Sequence, residues 1–258
     1  MSALTITVEQ EVARVTLARP NVRNAFDAAL IGELHDTFER LSKDPLVRVV
    51  VLAGEGSVFC GGADIHWMRG ALDLSYDENL VDAERMSDMF RAIDRCPKPV
   101  IGRVQGAALG GGSGLAAVCD VVIASEETLF GFTEVKLGII PAVISPFVLA
   151  KIGVSHARAL FVTGERFLAP RAKEMGLVHE VVAAEDLDSA VQRVVKEVLT
   201  AGPLAVAAAK HVIVEVRAAS YDASRAITTR AIAAQRITPE GQEGLYAFVE
   251  RRKASFSL

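Results

Sequence analysis

The stretch ALGGGSGLAAVCD, residues 108–120, decides the fold of this chain and narrows its chemistry. Three consecutive glycines precede an apolar segment typical of a buried helix, so bare backbone opens that helix. A P-loop is excluded because no Gly-Lys-Ser/Thr ending follows, and a dinucleotide fingerprint lacks its third small residue and ribose-binding acid. Two interpretations remain: tight packing of a strand-to-helix turn, or amides at a helix N-terminus that stabilise negative charge.

A second glycine-rich loop, GEGSVFCGGADIHWM at 54–68, follows the continuous apolar run VRVVVLAG at 47–54. Such a run predicts a strand buried on both faces of a parallel sheet, and another strand is predicted at 98–106, before the triple glycine. Because both loops leave the carboxyl ends of strands, their amides can point at one oxygen. The two loops together favour an oxyanion hole for a carbonyl that becomes enolate-like.

Enolate chemistry also requires an acid or base near the α-carbon of the carbonyl. The segment TLFGFTEVKLGIIPAVISPF, residues 128–147, supplies Glu134 among apolar neighbours. Burial there predicts a desolvated carboxyl group with a raised pKa, which suits proton exchange near neutral pH. Taken alone, a glutamate in this position is more often an ion-pair partner, here of the neighbouring Lys136.

The periodicity of the first 200 residues predicts an α/β fold with its ligand site at the carboxyl ends of the strands. An N-terminal hairpin is predicted over 4–17. A helix capped by Asn24 follows, with its apolar face running from Phe26 to Leu41, and a further helix is predicted at 76–95.

Beyond Pro203 the strand pattern stops, and three consecutive helices are predicted, at 203–219, 221–237 and 239–256. We therefore expect a core over 1–200 and a helical region over 201–258 that mediates oligomerisation.

Composition excludes several classes of protein. The chain has 258 residues, about half of them hydrophobic, with a formal net charge of −4 and no run of five or six basic residues, so nucleic acid and anionic membranes are poor partners. The N-terminus lacks the pattern of a signal peptide, and no apolar stretch reaches the ~18 residues of a membrane span. These features predict a cytoplasmic protein without a membrane partner.

The three cysteines, Cys60, Cys96 and Cys119, are widely spaced in apolar or glycine-rich surroundings. Because no Cys-x-x-Cys spacing occurs, they are predicted to be core residues rather than disulfides, metal ligands or nucleophiles. The five histidines are equally scattered, and no metal site is expected.

At six places, in the right order along the chain, the sequence resembles the enoyl-CoA hydratase/isomerase family, the crotonases. The matching segments are RPNVRNAF (19–26), FCGGADI (59–65), GRVQGAALGGGSGLAAVCDVVIAS (102–125), FGFTEVKLGIIP (130–141), LFVTGERFLAPRAKEMGLVHEVV (160–182) and EGQEGLYAFVERRKASF (240–256). The resemblance implies a spiral of ββα units and a homotrimer or a homohexamer built as a dimer of trimers. It also implies an acyl-CoA thioester as substrate, so that CoA enters with the substrate and no separate cofactor is needed.

The resemblance further assigns the residues of the site. It implies that Ala63 and Gly111 supply the two oxyanion amides and that Glu134 is the catalytic carboxyl group. The residues that it implies in substrate binding are Gly62, Asp64, Ile65, His66, Gly110, Gly114 and Arg251, the last of them toward a phosphate of CoA.

One position departs from the family pattern. Family hydratases carry a second glutamate, which helps to activate water, where this chain has Gly114. The segments 63–83 and 141–146 resemble a bacterial branch that hydrates branched, carboxylated enoyl-CoAs such as 3-methylglutaconyl-CoA and isohexenylglutaconyl-CoA, in leucine or terpenoid breakdown. We expect the distal carboxylate of such a substrate, or Asp82 or Glu84, to assist the water.

Three functions therefore remain possible from the sequence, two catalytic and one non-catalytic. Hydration of an α,β-unsaturated acyl-CoA is favoured by the longer match to the hydratase branch. A Δ3,Δ2-enoyl-CoA isomerase that uses a single glutamate is favoured by Gly114. A non-catalytic relative that binds CoA or RNA is disfavoured by the acidic balance of the chain and by Glu134 in its apolar setting.

Overall fold

The computed structural model describes residues 2–258 and divides this part of the chain into two sheets and ten helices. The strands are β1 (Leu4–Glu9), β2 (Val12–Leu17), β3 (Val49–Gly54), β4 (Val100–Val104), β5 (Ala107–Leu109), β6 (Val121–Ser125), β7 (Leu129–Gly131), β8 (Arg166–Leu168) and β9 (Glu180–Val182). The helices are α1 (Ala28–Lys43), α2 (Ile65–Gly70), α3 (Tyr76–Asp94), α4 (Gly111–Val118), α5 (Ser145–Thr163), α6 (Ala169–Glu174), α7 (Leu187–Leu199), α8 (Pro203–Ala218), α9 (Tyr221–Arg236) and α10 (Pro239–Glu250).

The larger sheet has the strand order β1-β2-β3-β4-β6-β9. Only β1 and β2 pair antiparallel, as the predicted hairpin, and every other pairing in this sheet is parallel. The smaller sheet, β5-β7-β8, brings β5 parallel to β7 and β8 antiparallel to β7. The predicted α/β class is confirmed.

Strand β3 is buried on both faces, as its continuous apolar run predicts. Since side chains alternate along a strand, Val49 and Val51 join the smaller apolar cluster, which includes α7 residues. Val50 and Leu52 face the larger cluster, which includes residues of α1, α3 and α4. Helices on both faces leave the carboxyl ends of the strands free to carry the two glycine loops.

Two predictions about helix ends are wrong. Helix α1 is capped by Asp27, whose side chain accepts a hydrogen bond from the Leu30 amide. Asn24 is buried instead, and its side-chain amide donates to the carbonyls of Glu55 and Val58, which ties two loops together. Helix α10 ends at Glu250 rather than near residue 256.

The C-terminal helices lie largely on the surface. In the described chain α8 and α9 contain no buried residue, and α10 buries only Ala247. Lys210 of α8 contacts the core through a 2.6 Å salt bridge to Asp120. Strands are absent beyond residue 203 of the described chain, as predicted.

No single helix in residues 2–258 is long and apolar enough to cross a membrane. The consecutive segments Ala184–Leu199 and Pro203–Ala218, bent by 101° relative to each other, reach the required length and composition only when taken together.

Candidate active site

The two glycine loops are in direct contact. Cys60 and Ala108 form a parallel bridge, and Phe26 forms another with Ala63. A β-carbon on Gly112 would lie 2.4 Å from the carbonyl oxygen of Cys60, so only glycine allows α4 to begin this close to the first loop. The sequence therefore places both loops at one edge of the sheet, as their positions after β3 and β4 predict.

Each loop presents an unpaired backbone donor. Within residues 2–258, neither the amide of Ala63 nor that of Gly111 donates a hydrogen bond to a protein acceptor. Gly111 is the first residue of α4, where amides have no intrahelical partner and the helix dipole is positive. This arrangement can stabilise developing negative charge on an oxygen atom.

Glu134 lies beside the start of α4. A β-carbon placed on Gly110 would lie 3.1 Å from Oε1 of Glu134, and Oε2 of the same carboxyl is buried without a hydrogen-bond partner in the described chain. Burial raises the pKa of this carboxyl group, as its apolar setting predicts. The alternative ion pair with Lys136 is not formed among the described residues.

Gly110 adopts a backbone conformation that favours glycine, with φ 52° and ψ −120°. Its amide donates to the carbonyl of Gly131, the last residue of β7, three residues before Glu134. The same short segment of backbone thus positions both the first turn of α4 and the carboxyl group. A side chain at Gly110 would strain the loop and contact the carboxyl oxygen.

Gly114 is packed under a side chain from another segment. A β-carbon there would lie 2.4 Å from Cγ2 of Ile144 and 3.1 Å from the ring of Phe90. Gly114 was predicted to contribute to substrate binding, but the structure shows it covered by Ile144 and Phe90 rather than open to a ligand. The space in which a longer side chain would extend is filled by Ile144.

Asp64 has a different place from the one implied by the resemblance. Its side chain is 6% exposed, accepts a hydrogen bond from the His66 amide and forms a 3.0 Å salt bridge with Arg19. Arg19 also binds Asp27, the cap of α1, at 2.8 Å. The Asp64 carboxyl group thus holds α2 and the first loop in place, and it is not free to contact a ligand.

The other residues implied in substrate binding lie in two regions. Gly62 is buried at φ 101°, while Ile65 and His66 at the start of α2 are exposed beside the first loop. Arg251 is the C-cap of α10, in the left-handed region at φ 56°, and in the described residues its side chain forms no salt bridge, unlike that of Arg252. No hydrogen bond or ion pair in this part of the structure links Arg251 to the glycine loops.

Sequence reasoning missed several residues that shape the site. Arg19 connects three segments, and Ile144 covers Gly114. Met86 of α3 has its terminal carbon 3.1 Å from the position of a Gly111 β-carbon. Arg19 is the first residue of the RPNVRN segment, so the sequence offered a signal that this motif has a structural role. The contacts of Met86 and Ile144 gave no such signal, because they depend on packing between distant segments.

The cysteines are core residues, as predicted. All three are buried and free. Burial raises the pKa of the Cys60 and Cys119 thiols to about 12, which leaves both protonated and unreactive at neutral pH. No cluster of three or more His, Cys, Asp or Glu side chains in residues 2–258 is arranged to hold a metal ion.

Two free amides on touching glycine loops lie beside a half-buried carboxyl group, an arrangement that can support enolate chemistry on a carbonyl compound. The family model for enoyl-CoA hydratase/isomerase matches residues 7–257, and the chain belongs to this family.

Individual relatives align with this chain over nearly its full length. The chain is 34% identical to crotonyl-CoA hydratase of Syntrophomonas wolfei over 250 residues, which is 96% of this chain and 95% of the relative. It is 32% identical to 2,3-dehydroadipyl-CoA hydratase of Escherichia coli over 258 residues, 99% of each. Among solved structures, an enoyl-CoA hydratase from Shewanella pealeana superimposes with a TM-score of 0.95 at 36% identity, covering 98% of this chain and 95% of the other. The predicted crotonase fold is thereby confirmed.

Proposed function

We propose that this protein is an enoyl-CoA hydratase, which adds water across the α,β double bond of an acyl-CoA thioester. The observation that carries the proposal is the position of Glu134. Its carboxyl group is half-buried, with Oε2 buried and lacking a hydrogen-bond partner among residues 2–258, and it lies against Gly110, immediately before the free amide at the start of α4. The names of the relatives support the same reaction class.

In the proposed reaction, the thioester oxygen accepts hydrogen bonds from the amides of Ala63 and Gly111. Water adds at Cβ, and the negative charge moves onto this oxygen as an enolate. Glu134, whose raised pKa favours the protonated form, delivers a proton to Cα. The thioester activates its own α-position and the backbone stabilises the charge, so the proposed chemistry requires neither a metal nor an organic cofactor.

The CoA portion is proposed to lie along the first glycine loop. Gly62, Ile65 and His66 border the Ala63 amide in sequence, and the exposed side chains at the start of α2 are open to a ligand. Arg251, without an ion-pair partner in the described chain, is proposed to meet a phosphate of CoA.

The acyl group is proposed to be branched and carboxylated, as the resemblance of segments 63–83 and 141–146 predicts. Activity on a panel containing 3-methylglutaconyl-CoA and crotonyl-CoA tests this substrate class. A preference for the carboxylated substrate supports it, and equal or better turnover of crotonyl-CoA contradicts it. Roles in leucine or terpenoid breakdown and a cytoplasmic location stay predictions from the sequence.

A Δ3,Δ2-enoyl-CoA isomerase is the second candidate. The observation that favours it is Ile144 over Gly114, because the space of a second carboxyl group is filled by an apolar side chain. An isomerase needs only one proton carrier, which moves a proton between Cα and Cγ. The two activities have opposite optical signatures: hydration removes the conjugated-enoyl absorbance, whereas isomerisation of a Δ3 substrate creates it.

We further propose that copies of the chain assemble into a trimer or a dimer of trimers through α8–α10. Apolar side chains on these helices are exposed in the single chain, among them Ile213, Ile237, Phe248 and Val249. Surface of this kind is typical of a contact between subunits.

The decisive experiment on the proposed function replaces Glu134 by Gln and measures hydration of crotonyl-CoA and of 3-methylglutaconyl-CoA. General acid–base groups contribute roughly 10²–10⁴-fold, so we expect a loss of at least about 100-fold in kcat. The matched control is Glu127→Gln, an exposed glutamate before β7, which should leave the rate unchanged. Undiminished turnover by Glu134→Gln contradicts the assignment.

A further inference from the structure

A cavity of about 590 Å³ lies between α2 and the first half of α3. The side chains that matter here are Trp67, Asp77, Glu78, Asp82 and Arg85, all of which border it. Helix α2 follows directly after Ala63, and Met86 of α3 reaches the backbone of Gly111. The cavity is therefore bounded by the two elements that adjoin the free amides, where the carbons beyond a bound thioester can extend.

Addition of water at Cβ requires a group that takes a proton from the water. Glu134 faces the Gly110 side, and Ile144 fills the space at Gly114. Any second carboxyl group must therefore come from another element, and α3 supplies the acidic residues that line the cavity.

Most carboxyl groups near this cavity are already engaged or hydrated. Asp64 is held by Arg19, and Glu78 accepts hydrogen bonds from the amide and hydroxyl of Ser75 at 2.8 and 2.6 Å. Asp77 is exposed in the first turn of α3. Asp82 is half-buried, and within residues 2–258 it forms neither a hydrogen bond nor a salt bridge.

Asp82 lies on α3 one turn from the residues that pack on the core. Met86, Met89, Phe90 and Ile93 form the face of α3 that packs on the core, and Asp82 precedes Met86 by four residues. Residues four apart lie on one face of a helix, about one 5.4 Å turn from each other. Asp82 therefore lies where this face leaves the core, one turn beyond the side chain that contacts Gly111.

The surroundings of Asp82 suit a proton acceptor. Burial raises the pKa of its carboxyl group, and the Arg85 guanidinium one turn away opposes that rise. A partly desolvated carboxylate accepts a proton more readily than a hydrated one, while the neighbouring cation favours its ionised form.

We propose that Asp82 is the base that activates water in this enzyme, in place of a carboxyl group at position 114. The inference rests on the proposed hydratase function. As the water oxygen bonds to Cβ, one water proton passes to the Asp82 carboxylate, and the π electrons move through Cα onto the thioester oxygen. Collapse of the enolate takes a proton from Glu134 to Cα. Solvent returns the proton from Asp82 to Glu134, so the net change is one water added across the double bond.

The test compares Asp82→Asn with Asp88→Asn, an exposed carboxyl on the same helix that does not border the cavity. Two rates are measured: hydration of crotonyl-CoA, and exchange of the α-hydrogens of butyryl-CoA with solvent deuterium, which needs Glu134 and the amides but no water addition. We expect Asp82→Asn to lose at least about 100-fold in hydration while exchange stays within threefold of the parent protein. Asp88→Asn should keep both rates, and Asp82→Glu should recover part of the hydration rate.

The two proposals fail in different ways. If Asp82→Asn hydrates crotonyl-CoA normally while Glu134→Gln does not, the role of Asp82 is overturned and the proposed function stands. Loss of both rates in Asp82→Asn indicates a structural role and also overturns the inference. Absence of hydration by the parent protein, or normal hydration and exchange by Glu134→Gln, overturns the proposed function itself and the role of Asp82 with it.

Discussion

At the scale of single residues, the site depends on positions where a side chain is missing. Gly112 allows the two loops to touch, and Gly110 allows the backbone to bring the Glu134 carboxyl beside the helix N-terminus. The glycine-rich pattern alone predicts that other atoms approach this backbone closely, but it does not predict which residues they belong to. The sequence shows that residues 110–114 carry little or no side chain, while the identity of each neighbour depends on side chains from distant segments.

Gly114 offers a direct test of this packing. We expect Gly114→Ala to destabilise the protein by about 1–3 kcal/mol, because its β-carbon would overlap Ile144 at 2.4 Å in a filled core. The measurement is the free energy of unfolding from denaturant titration.

The matched control for this prediction is Gly32→Ala in α1, where a β-carbon would meet nothing within 4 Å. Alanine there should stabilise the helix by roughly 0.5–1 kcal/mol. An unchanged stability of Gly114→Ala would show that Ile144 moves aside freely and that position 114 is open to a larger side chain.

At the scale of elements, the long segments were predictable and the short ones were not. The apolar run of β3 and the apolar face of α1 are strong signals because a whole strand or helix face repeats one requirement. The three-residue strands β5, β7, β8 and β9 contain too few positions for a pattern, and pairing with distant segments creates them. The positions of the glycine loops were predicted correctly because the strands before them, β3 and β4, were predicted correctly.

The cap of α1 shows why neighbouring polar residues were confused. Both Asn24 and Asp27 can cap a helix, and the sequence cannot separate them without knowing which one is buried. Asn24 is used to join the segment 19–24 to carbonyls at 55 and 58, so the helix begins after Asp27. Asp27 in turn belongs to the Arg19 network.

Arg19 joins α1 and α2 through Asp27 and Asp64, so its loss should loosen the first glycine loop. We expect Arg19→Met to cost about 3 kcal/mol in the free energy of unfolding at pH 7, because it leaves the buried Asp64 carboxylate without its cation. Arg40→Met, an exposed position on α1, should change stability little.

The pH dependence of this loss has a defined sign. Burial acts to raise the pKa of Asp64, but the His66 amide and Arg19 outweigh it, so its folded-state pKa lies below the ordinary value of 3.8. The stability that Asp64 contributes is therefore present above that value and is lost as pH falls through the folded-state pKa. The difference between Arg19→Met and the parent protein should shrink in acid. A difference that grows as pH falls contradicts this account.

At the scale of the whole molecule, the chain divides its tasks along its length. The core up to α7 builds the loops and the carboxyl group, while α8–α10 bury almost nothing of themselves. Arg48 links the two parts, since its guanidinium donates to the carbonyls of Leu199, Ala201 and Phe256. The helical region is thus held to the core at its beginning and its end, with its apolar surface exposed between them.

The exposed surface of α10 provides the last prediction. Phe248 and Val249 are 84% and 77% exposed in the single chain. Adjacent large apolar side chains with this exposure are typical of a surface that contacts another protein. If α10 lies in a contact between copies, Phe248→Asp with Val249→Asp should convert an assembly of three or six 27.5 kDa chains to smaller species, measured by light scattering after gel filtration. Val8→Asp on the edge strand β1 is the control, because it also adds a charge at an exposed apolar position. A parent protein that is monomeric, or an assembly that survives both charges, contradicts a contact through α10.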